Sequence, residues 1–518
     1  MNKDLLNKEV VGIFDIRGIQ NYIFNHSSDV DSLVASDIFK DLLSYAFDYA
    51  KKKMENELPA DSIKFCSKEN NKIDYFHDEN VKVQVISAKC GNGLVLFREG
   101  WIAQKFSHYT SIFFVENNYR LNICCAFVER TSDYVNDNKR LYEALDKSKQ
   151  NMPQSDVFLS FDFTQVEKFT GLPASLYDET YKEHISVETK KLRQLSKNQY
   201  YTQRIEMLDA LYNNNNSLAF VHIDGNSMGM SIAKLLNKQD SYESFLSLKF
   251  QTQSFFEDSF KNIVQNCVIW LAKTLNLQKK YYSNTWIENV LFVCHCGGDD
   301  INFIIDPKYA FLFSEKVILE LSKIEFNLAG KHKLNLSYCA GIAFMANTVS
   351  QIDGFSCAEK ICSICKKRAK DSAFMDKDRI TSWIDFNFFY DTLVFDIEKL
   401  RKRLKSNDGY YNMILRPYSL DECHKDKPYS YRNFKNTLLT LQHLNINKIN
   451  LRDVNDYIYL GKISKIKLMK LAQSHGVDEF VDYLQSRDVY STLKETNCRY
   501  STIYDSLDVL TAFEDIKL

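Results

Sequence analysis

The stretch Val290-Leu-Phe-Val-Cys-His-Cys-Gly-Gly-Asp-Asp-Ile-Asn-Phe-Ile-Ile305 predicts a β-hairpin. Apolar and aromatic residues lie on both sides of Gly297-Gly-Asp-Asp300, which is typical of two strands joined by a tight turn. Glycine makes up 16 of the 518 residues, so two adjacent glycines are not expected from composition alone. Such a pair permits a sharp reversal of the chain and a close approach of a ligand to the backbone.

This hairpin belongs to an internal repeat. Residues 9–16 and 217–224 each predict a strand that ends near an aspartate, and each is followed by a long helical stretch. A hairpin comes next in both copies, at residues 81–97 and 290–305, and then a further strand. The resulting order, β-α-β-β-α-β, is ferredoxin-like. An antiparallel sheet with helices on one face is the palm architecture of many polymerases and cyclases.

The repeat and its surroundings divide the chain into four predicted domains. We predict an α+β fold with a first palm domain at residues 1–159, a helical linker at 160–215, a second palm domain at 216–391 and an all-helical C-terminal domain at 392–518. The length of 518 residues is too great for a single hydrophobic core and agrees with several domains.

Composition narrows the class of protein. The hydrophobic content of 45% and the charged content of 26% are ordinary for a soluble globular protein. The net charge of −1 argues against binding of long nucleic acid by bulk electrostatics. The sequence contains neither an apolar stretch long enough to span a bilayer nor a secretory signal. We therefore expect a cytoplasmic protein with no membrane partner.

Asp299 and Asp300 place four carboxylate oxygens at the predicted hairpin tip. Adjacent carboxylates repel one another unless a cation lies between them. Mg²⁺ prefers oxygen ligands and is usually held by one or two carboxylates together with substrate phosphates. The alternative is an ordinary Gly-Asp turn that faces solvent.

Asp224 ends the strand that opens the second copy of the repeat. In a ferredoxin-like sheet this end lies beside the tip of the central hairpin, so we expect Asp224 to face Asp299 and Asp300. Three carboxylates suit a pair of divalent ions, Mg²⁺ or Mn²⁺, which would activate a hydroxyl and stabilise a departing pyrophosphate. Ile223 is included among the predicted metal ligands. The alternative role for Asp224 is a helix N-terminal cap.

Backbone N–H groups at the start of the next helix, from Asn226 to Gly229, provide a possible cradle for a triphosphate. The predicted nucleotide contacts around the aspartates are Gly225, Asn226, Ser227, Met228, Gly229, Gly297 and Gly298. Lys370, at the end of a later helix, could reach the triphosphate as a point charge, and the alternative is a surface lysine. Cys362 and Cys365 lie on that helix, and we interpret them as buried thiols in preference to a zinc site.

Together these motifs resemble the large, polymerase-like subunit of type III CRISPR effector complexes and, more distantly, the GGDEF diguanylate cyclases. The matching segments are Ile223-Asp-Gly-Asn-Ser-Met-Gly229, His295-Cys-Gly-Gly-Asp-Asp300, Ala340-Gly-Ile-Ala343 and Ala369-Lys370 in the second palm, Asp15-Ile-Arg-Gly-Ile-Gln-Asn-Tyr-Ile-Phe24 and Cys90-Gly-Asn-Gly93 in the first, Thr170-Gly-Leu-Pro-Ala174 in the linker and Leu415-Arg-Pro-Tyr418 near the C-terminus.

The resemblance implies a reaction between two ATP molecules held between the palms. The 3′-hydroxyl of one would attack the α-phosphate of the other, and the resulting oligoadenylates would close into rings that act as antiviral second messengers. Asp224, Asp299 and Asp300 would hold two metal ions, and Lys370 would contact phosphates. Gly91, Asn92 and Gly93 would line the acceptor-nucleotide site of a first palm that lacks hairpin carboxylates and does not catalyse transfer.

The resemblance also implies partners, namely CRISPR effector subunits with guide and target RNA, although a free-standing enzyme and a homo-oligomer stay open. Two departures stand out. Many relatives carry an acid where this chain has Asn226, and many begin with an HD nuclease domain, whereas here the first palm begins close to Met1, so we expect no DNA cleavage. The remaining alternatives are AMP transfer to another acceptor, synthesis of a cyclic dinucleotide, and a non-catalytic scaffold in a ribonucleoprotein.

Overall fold

The computed structural model describes most of the chain, and the chain forms two compact units. The first unit consists of residues 1–206, 229–261 and 328–332, and the second of residues 207–228, 262–327 and 333–518. The described residues are 3–24, 26, 28–67, 73–89, 91–117, 119–152, 165–168, 170–229, 232, 236, 239, 241–297, 300–324, 326–328, 332–334, 336–376, 379–389, 396–405, 411–444, 465–474, 476, 478–487, 490–493, 495–496, 498–513 and 516–518.

The first palm has the predicted ferredoxin-like order. Its elements are β1 (Val10–Arg17), α1 (Ile19–Phe24), α2 (Asp29–Met54), β2 (Ile63–Phe65), β3 (Val83–Lys89), β4 (Asn92–Phe97), α3 (Gly100–Glu116), β5 (Asn122–Glu129) and α4 (Tyr134–Gln150). The sheet has the strand order β2-β3-β4-β1-β5, in which β2 is an added edge strand parallel to β3. Aromatic residues build the core, with the ring of Phe14 on β1 4.9 Å from that of Phe47 on α2.

Among the described residues of the linker, the helices lie in its second half. A short hairpin, β6 (Leu176–Asp178) and β7 (Glu183–Ile185), precedes α5 (Val187–Ser196) and α6 (Gln199–Asn214). The prediction of a helical linker is thus correct for the helices and misses the hairpin, whose three-residue strands are too short to give a period-two signal.

The second palm repeats the order of the first. Its elements are β8 (Ser217–Gly225), α7 (Tyr242–Thr274), β9 (Trp286–Ile287), β10 (Leu291–Gly297), β11 (Asp300–Ile305), α8 (Ala310–Ser322), β12 (Phe326–Leu328), β13 (His332–Leu334), β14 (Tyr338–Ala346), α9 (Gln351–Lys370) and β15 (Trp383–Phe388). In its sheet the strands run in the order β15-β14-β8-β11-β10-β9, with β15 parallel to β14. The α+β fold with two ferredoxin-like palms is therefore confirmed.

Helices cover both faces of the second palm sheet, which corrects the expectation of helices on one face. On one face Phe313 of α8 packs against Phe303 of β11, with ring centroids 5.0 Å apart. On the other face α9 lies so close to β14 that a Cβ atom on Gly341 would be 2.1 Å from the carbonyl oxygen of Ala358. Strand β14 is buried along almost its whole length, as expected of a strand covered on both faces.

The C-terminal region is not all-helical, so that prediction is wrong. It contains α10 (Ile397–Lys402), β16 (Tyr411–Asn412), β17 (Tyr418–Ser419), α11 (Tyr431–His443), α12 (Lys465–Ser474), α13 (Asp478–Ser486), β18 (Tyr490–Leu493), β19 (Cys498–Ser501) and α14 (Tyr504–Ala512). Strands β16, β19 and β18 form a separate sheet, and β17 pairs with β15 at the edge of the palm sheet. These strands have two to four residues. They are stabilised by pairing with strands that are distant in sequence, which hydrophobic periodicity does not reveal.

Buried charges anchor the C-terminal region to the second palm. The Asp505 carboxylate accepts hydrogen bonds from the backbone of Leu415 and Arg416, each at 2.9 Å, and from the Tyr418 hydroxyl at 2.7 Å. On the outer edge of β15, Arg401 donates two hydrogen bonds to Asp385 and one to the carbonyl oxygen of Phe386. The Leu415-Arg-Pro-Tyr418 motif thus has a structural role. In the described part of the chain, no helix is both long and apolar enough to cross a bilayer.

Candidate active site

Two aspartates from neighbouring strands of the second palm meet at one end of the sheet. Strands β8 and β11 are antiparallel, and their register places Asp224 directly opposite Asp300 and His222 directly opposite Asn302. Side chains at directly opposite positions lie on the same face of a sheet. Ligand atoms of His222, Asp224 and Asp300 lie within 4.8 Å of one another. Asp224 therefore lies beside Asp300 of the hairpin, as predicted.

The other half of the predicted acidic pair falls on the hairpin turn. Gly297 lies opposite Asp300 at the base of the turn, and Gly298 and Asp299 lie outside the described residues. The Ile223 side chain is fully buried on the opposite face of β8, so only its backbone carbonyl could contact an ion. The roles assigned to these residues stay predictions.

A lysine that the sequence interpretation missed lies in this cluster. Lys366 on α9 forms an ion pair with Asp224, and both side chains are about four-fifths buried. Close packing of α9 on Gly341 of β14 brings the helix against this face of the sheet. The predicted phosphate ligand, Lys370, is exposed at the end of the same helix, one turn beyond Lys366.

His222 lies beside the two aspartates and is more than nine-tenths buried. Its Nδ1 atom is 2.8 Å from Oδ1 of Asn302, and its Nε2 atom is 4.0 Å from Oδ2 of Asp224. Asn302 Oδ1 accepts a hydrogen bond when Nδ1 carries a proton, and this contact orients Nε2 toward the carboxylate. Strand alternation was the missed signal, since His222 lies two residues before Asp224 on the same face.

The first palm contains a matching but reduced cluster. Asp15 on β1 lies opposite Asn92 on β4, at the positions that Asp224 and Asp300 occupy in the second palm. Lys149 on α4 forms a 2.8 Å ion pair with Asp15. Lys149 lies fifteen residues after the first residue of α4, and Lys366 lies fifteen residues after the first residue of α9. The duplication therefore kept the lysine–aspartate pair and differs at the hairpin carboxylate.

Asn226, the first residue after β8, is held in place by hydrogen bonds to neighbouring segments. The Asn226 side chain, 7% exposed, donates to Ser337 Oγ at 3.2 Å and to the carbonyl oxygen of Thr381 at 3.1 Å. Its backbone N–H donates to the carbonyl oxygen of Ser337, so this N–H is not available to a triphosphate. The backbone N–H of Asn226 is thus removed from the predicted cradle, and the roles of Ser227, Met228 and Gly229 stay predictions. Ser227 has a φ of +52°.

Glycines of the first palm hairpin are explained by packing. Gly91 has a φ of +78°, and a Cβ atom there would lie 2.7 Å from the ring of Phe39. A Cβ atom on Gly93 would lie 2.7 Å from the ring of Phe47. Asn92 between them is exposed. The predicted lining of an acceptor-nucleotide site by these three residues stays a prediction.

The cysteines of α9 are core residues. Cys362 and Cys365 are buried, which confirms the prediction of buried thiols. Burial raises the pKa of both thiols well above the ordinary value. The Cys362 thiol donates a hydrogen bond to the carbonyl oxygen of Cys339 at 3.2 Å. This contact helps to hold α9 against β14 and thereby positions Lys366.

The donor set fits a divalent cation. Two carboxylates and an imidazole nitrogen converge on one spot, and Lys366 supplies a single positive charge to balance Asp224 and Asp300. In the described part of the chain, Asn226 Oδ1 and Ser227 Oγ, just after β8, are buried without a hydrogen-bond partner. Because buried oxygens normally have a partner, these two atoms indicate that a ligand or ion binds at the end of β8.

The ferredoxin-like sheet, with acidic residues at the end of its first strand and on its central hairpin, has the architecture of a palm domain. Residues 217–381 match the family described as Cas10/Cmr2, second palm domain. Over these residues the chain is similar to the Cas10/Cmr2 second palm domain, in agreement with the resemblance to the large subunit of type III CRISPR complexes. No curated protein matches the chain in sequence.

Solved structures of Csm1 have a similar fold. A Csm1–Csm4 cassette in complex with pppApA is 10% identical with a TM-score of 0.53, and the cassette in complex with pppApApA is 10% identical with a TM-score of 0.51. Csm1 from T. onnurineus is 12% identical with a TM-score of 0.48. Each comparison covers 99% of this chain and 70% of the other. At this identity the two cassette structures support a shared fold.

Proposed function

We propose that this chain is a nucleotidyltransferase that joins ATP molecules into oligoadenylates, which close into rings, as part of a type III CRISPR-like antiviral response. The observation that carries this proposal is the placement of Asp224 directly opposite Asp300 at the end of a palm sheet. Two partly buried carboxylates side by side carry more negative charge than the single lysine beside them balances, which favours a bound cation and a catalytic role.

The residues of the second palm have distinct roles in this proposal. Asp224 and Asp300, with Asp299 from the turn, would hold two divalent ions. Such ions would lower the pKa of the attacking 3′-hydroxyl and stabilise the charge on the departing pyrophosphate. The backbone N–H groups of Ser227, Met228 and Gly229 would bind phosphate oxygens.

The first palm would hold the acceptor nucleotide without catalysing transfer. Asn92 replaces a carboxylate at the hairpin, and Lys149 already neutralises Asp15. This palm therefore has no excess negative charge on which to hold a cation. Gly91, Asn92 and Gly93 are the residues proposed to line the acceptor site.

Partners and products are proposed by analogy with the similar structures. Those contain Csm1 together with Csm4 and, in two cases, the linear oligoadenylates pppApA and pppApApA. We expect this chain to bind a Csm4-type subunit and to be activated by guide and target RNA in the assembled complex. Base preference and ring size are left to experiment.

The structure weakens the main argument for a non-catalytic scaffold. That alternative relied on Asn226 as a lost metal ligand. Its side chain instead ties the end of β8 to Ser337 and Thr381, which is a structural role that does not require loss of catalysis.

The test is synthesis from ATP by the chain reconstituted with its complex and target RNA, followed by mass spectrometry of the products. The variant Asp224→Asn with Asp300→Asn keeps the shape of both side chains and should lower synthesis by about a hundredfold or more, because several kcal/mol of charge stabilisation are lost. The matched control, Asp15→Asn in the first palm, should retain synthesis. Equal activity of the wild type and the double variant would remove the proposed site.

A further inference from the structure

The two palms differ at one buried cross-strand pair beside the acidic cluster. In the second palm this pair is His222 and Asn302. In the first palm the corresponding pair, in the same register to the aspartate, is Ile13 and Leu94. All four side chains are at least nine-tenths buried. The sheet therefore accommodates an apolar pair at this place.

A buried polar pair costs free energy of desolvation relative to an apolar pair of similar size. Since the first palm shows that the fold does not require it, the polar pair of the second palm calls for a functional explanation. The geometry supplies one. Asn302 Oδ1 orients the imidazole through Nδ1, and this places Nε2 4.0 Å from Oδ2 of Asp224.

This separation is too long for a hydrogen bond, and the same Oδ2 atom is the oxygen that Lys366 contacts. A metal ion that displaced Lys366 could bind both Nε2 of His222 and Oδ2 of Asp224. Histidine ligands of metals commonly donate their second ring N–H to an oxygen that fixes the tautomer, and Asn302 Oδ1 occupies that position here. His222, Asp224 and Asp300 also present their ligand atoms within 4.8 Å of one another.

We propose that His222 is a ligand, through Nε2, of the metal ion held by Asp224 and Asp300, so that this position selects a first-row transition-metal ion such as Mn²⁺ over Mg²⁺. Mg²⁺ favours oxygen ligands, whereas an imidazole nitrogen suits transition metals. The inference rests on the metal-binding part of the proposed function and adds the identity of the ligand and of the ion.

The direct test is electron spin echo spectroscopy of the full chain loaded with Mn²⁺, which detects ¹⁴N coupling from an imidazole on the metal. We expect ¹⁴N modulation in the wild type. Calorimetry should show that Mn²⁺ binds about tenfold or more tightly than Mg²⁺. Bound Mn²⁺ without ¹⁴N modulation would overturn the proposal, and this measurement needs no variant.

The matched variant gives the second palm the pair found in the first, His222→Ile with Asn302→Leu. Because the same sheet type already accepts this pair, the variant should fold, and its thermal unfolding is measured in parallel. We expect the ¹⁴N modulation to disappear and Mn²⁺ affinity to fall about tenfold or more, while Mg²⁺ affinity changes little. Retention of both the modulation and the Mn²⁺ preference would overturn the proposal.

Failure of this inference is distinguishable from failure of the proposed function. Oligoadenylate synthesis with Mn²⁺ bound solely through oxygen would overturn the role of His222 and leave the enzyme intact. ¹⁴N-coupled Mn²⁺ that disappears in the Asp224→Asn, Asp300→Asn variant would support the metal ligand even if the complex made no product from ATP.

Discussion

Lys366 of α9 is ion-paired with Asp224 of β8, on the same carboxylate that faces Asp300 and His222. A lysine ammonium and a divalent cation repel each other strongly at such short range. Lys366 is therefore the counterion of the Asp224 carboxylate in this structure. Lys366 must move away from Asp224 when a cation binds, and the phosphates of a nucleotide are a natural alternative partner.

We expect Lys366→Met to raise the affinity for Mn²⁺ in the absence of nucleotide by about three- to tenfold, since an ion pair of this exposure contributes on the order of 1 kcal/mol. Removal of the ammonium leaves both carboxylates for the metal. Calorimetric titration of the nucleotide-free protein measures the change. In the presence of ATP the same variant should bind the triphosphate more weakly.

The duplication offers a control for this prediction. Lys149→Met removes the equivalent ion pair with Asp15 in the first palm and should leave Mn²⁺ affinity unchanged. An unchanged affinity in Lys366→Met, or an equal increase in both variants, would contradict the assignment of Lys366 as a counterion that the metal displaces.

A second prediction concerns Asn226, where many relatives of the family carry an acid. Asn226→Asp should destabilise the protein by about 2–4 kcal/mol, because a buried carboxylate would face the carbonyl oxygen of Thr381 and could donate no hydrogen bond. Denaturant unfolding measures this loss. Ser337→Ala is the milder comparison. A stable Asn226→Asp variant with tighter metal binding would show that the side chain turns to the metal site.

A third prediction concerns the close contact of α9 with β14. Gly341→Ala places a methyl group 2.1 Å from the carbonyl oxygen of Ala358 and should destabilise the protein by about 2–3 kcal/mol. Gly229→Ala meets nothing within 4 Å and should change stability by less than about 1 kcal/mol. Chemical unfolding of the two variants in parallel compares them. Equal stability would contradict the close packing of α9.

A fourth prediction concerns pH and the buried Asp31 of α2. Burial raises its pKa to about 7, although Asp31 shares the guanidinium of Arg193 with Asp178 and Glu183. Between about pH 4 and pH 7 the folded state therefore binds more protons at Asp31 than the unfolded state, so this group lowers stability as pH rises.

Asp31→Asn removes that titration. The stability of the variant relative to the wild type should therefore be greater at pH 8 than at pH 5, by up to about 3 kcal/mol. Guanidinium unfolding at the two pH values provides the comparison. If the free energy of unfolding had the same pH dependence in the wild type and the variant, Asp31 would be ionised throughout this range and the prediction would be contradicted.

The sequence predicted the repeated palm fold because strong local signals coincided. Each copy contains apolar strands, a glycine-containing hairpin and long helices in the same order. Asp224 and Asp300 were predictable neighbours because topology alone brings their strands together. The short strands of the C-terminal region were missed because their stabilisation comes from distant partners.

Lys366 and His222 were missed for different reasons. Several basic residues end α9, and periodicity does not reveal which of them faces the sheet until Gly341 fixes the helix against β14. His222 lies in an apolar strand, where a single histidine gives no distinct local signal. Comparison of the two copies position by position would have identified both, since Lys149 matches Lys366 and Ile13 differs from His222.

The outer edge of the second palm sheet also has a consequence for assembly. Strand β17 pairs with two residues of β15. Beyond β17, Arg401 donates a hydrogen bond to the carbonyl oxygen of Phe386, and the Asp385 carboxylate accepts a hydrogen bond from the Phe386 N–H. An edge whose backbone groups are already occupied offers no template for an incoming strand. Neighbouring subunits must therefore dock on this side through side chains, and self-association by edge-to-edge strand pairing is blocked there.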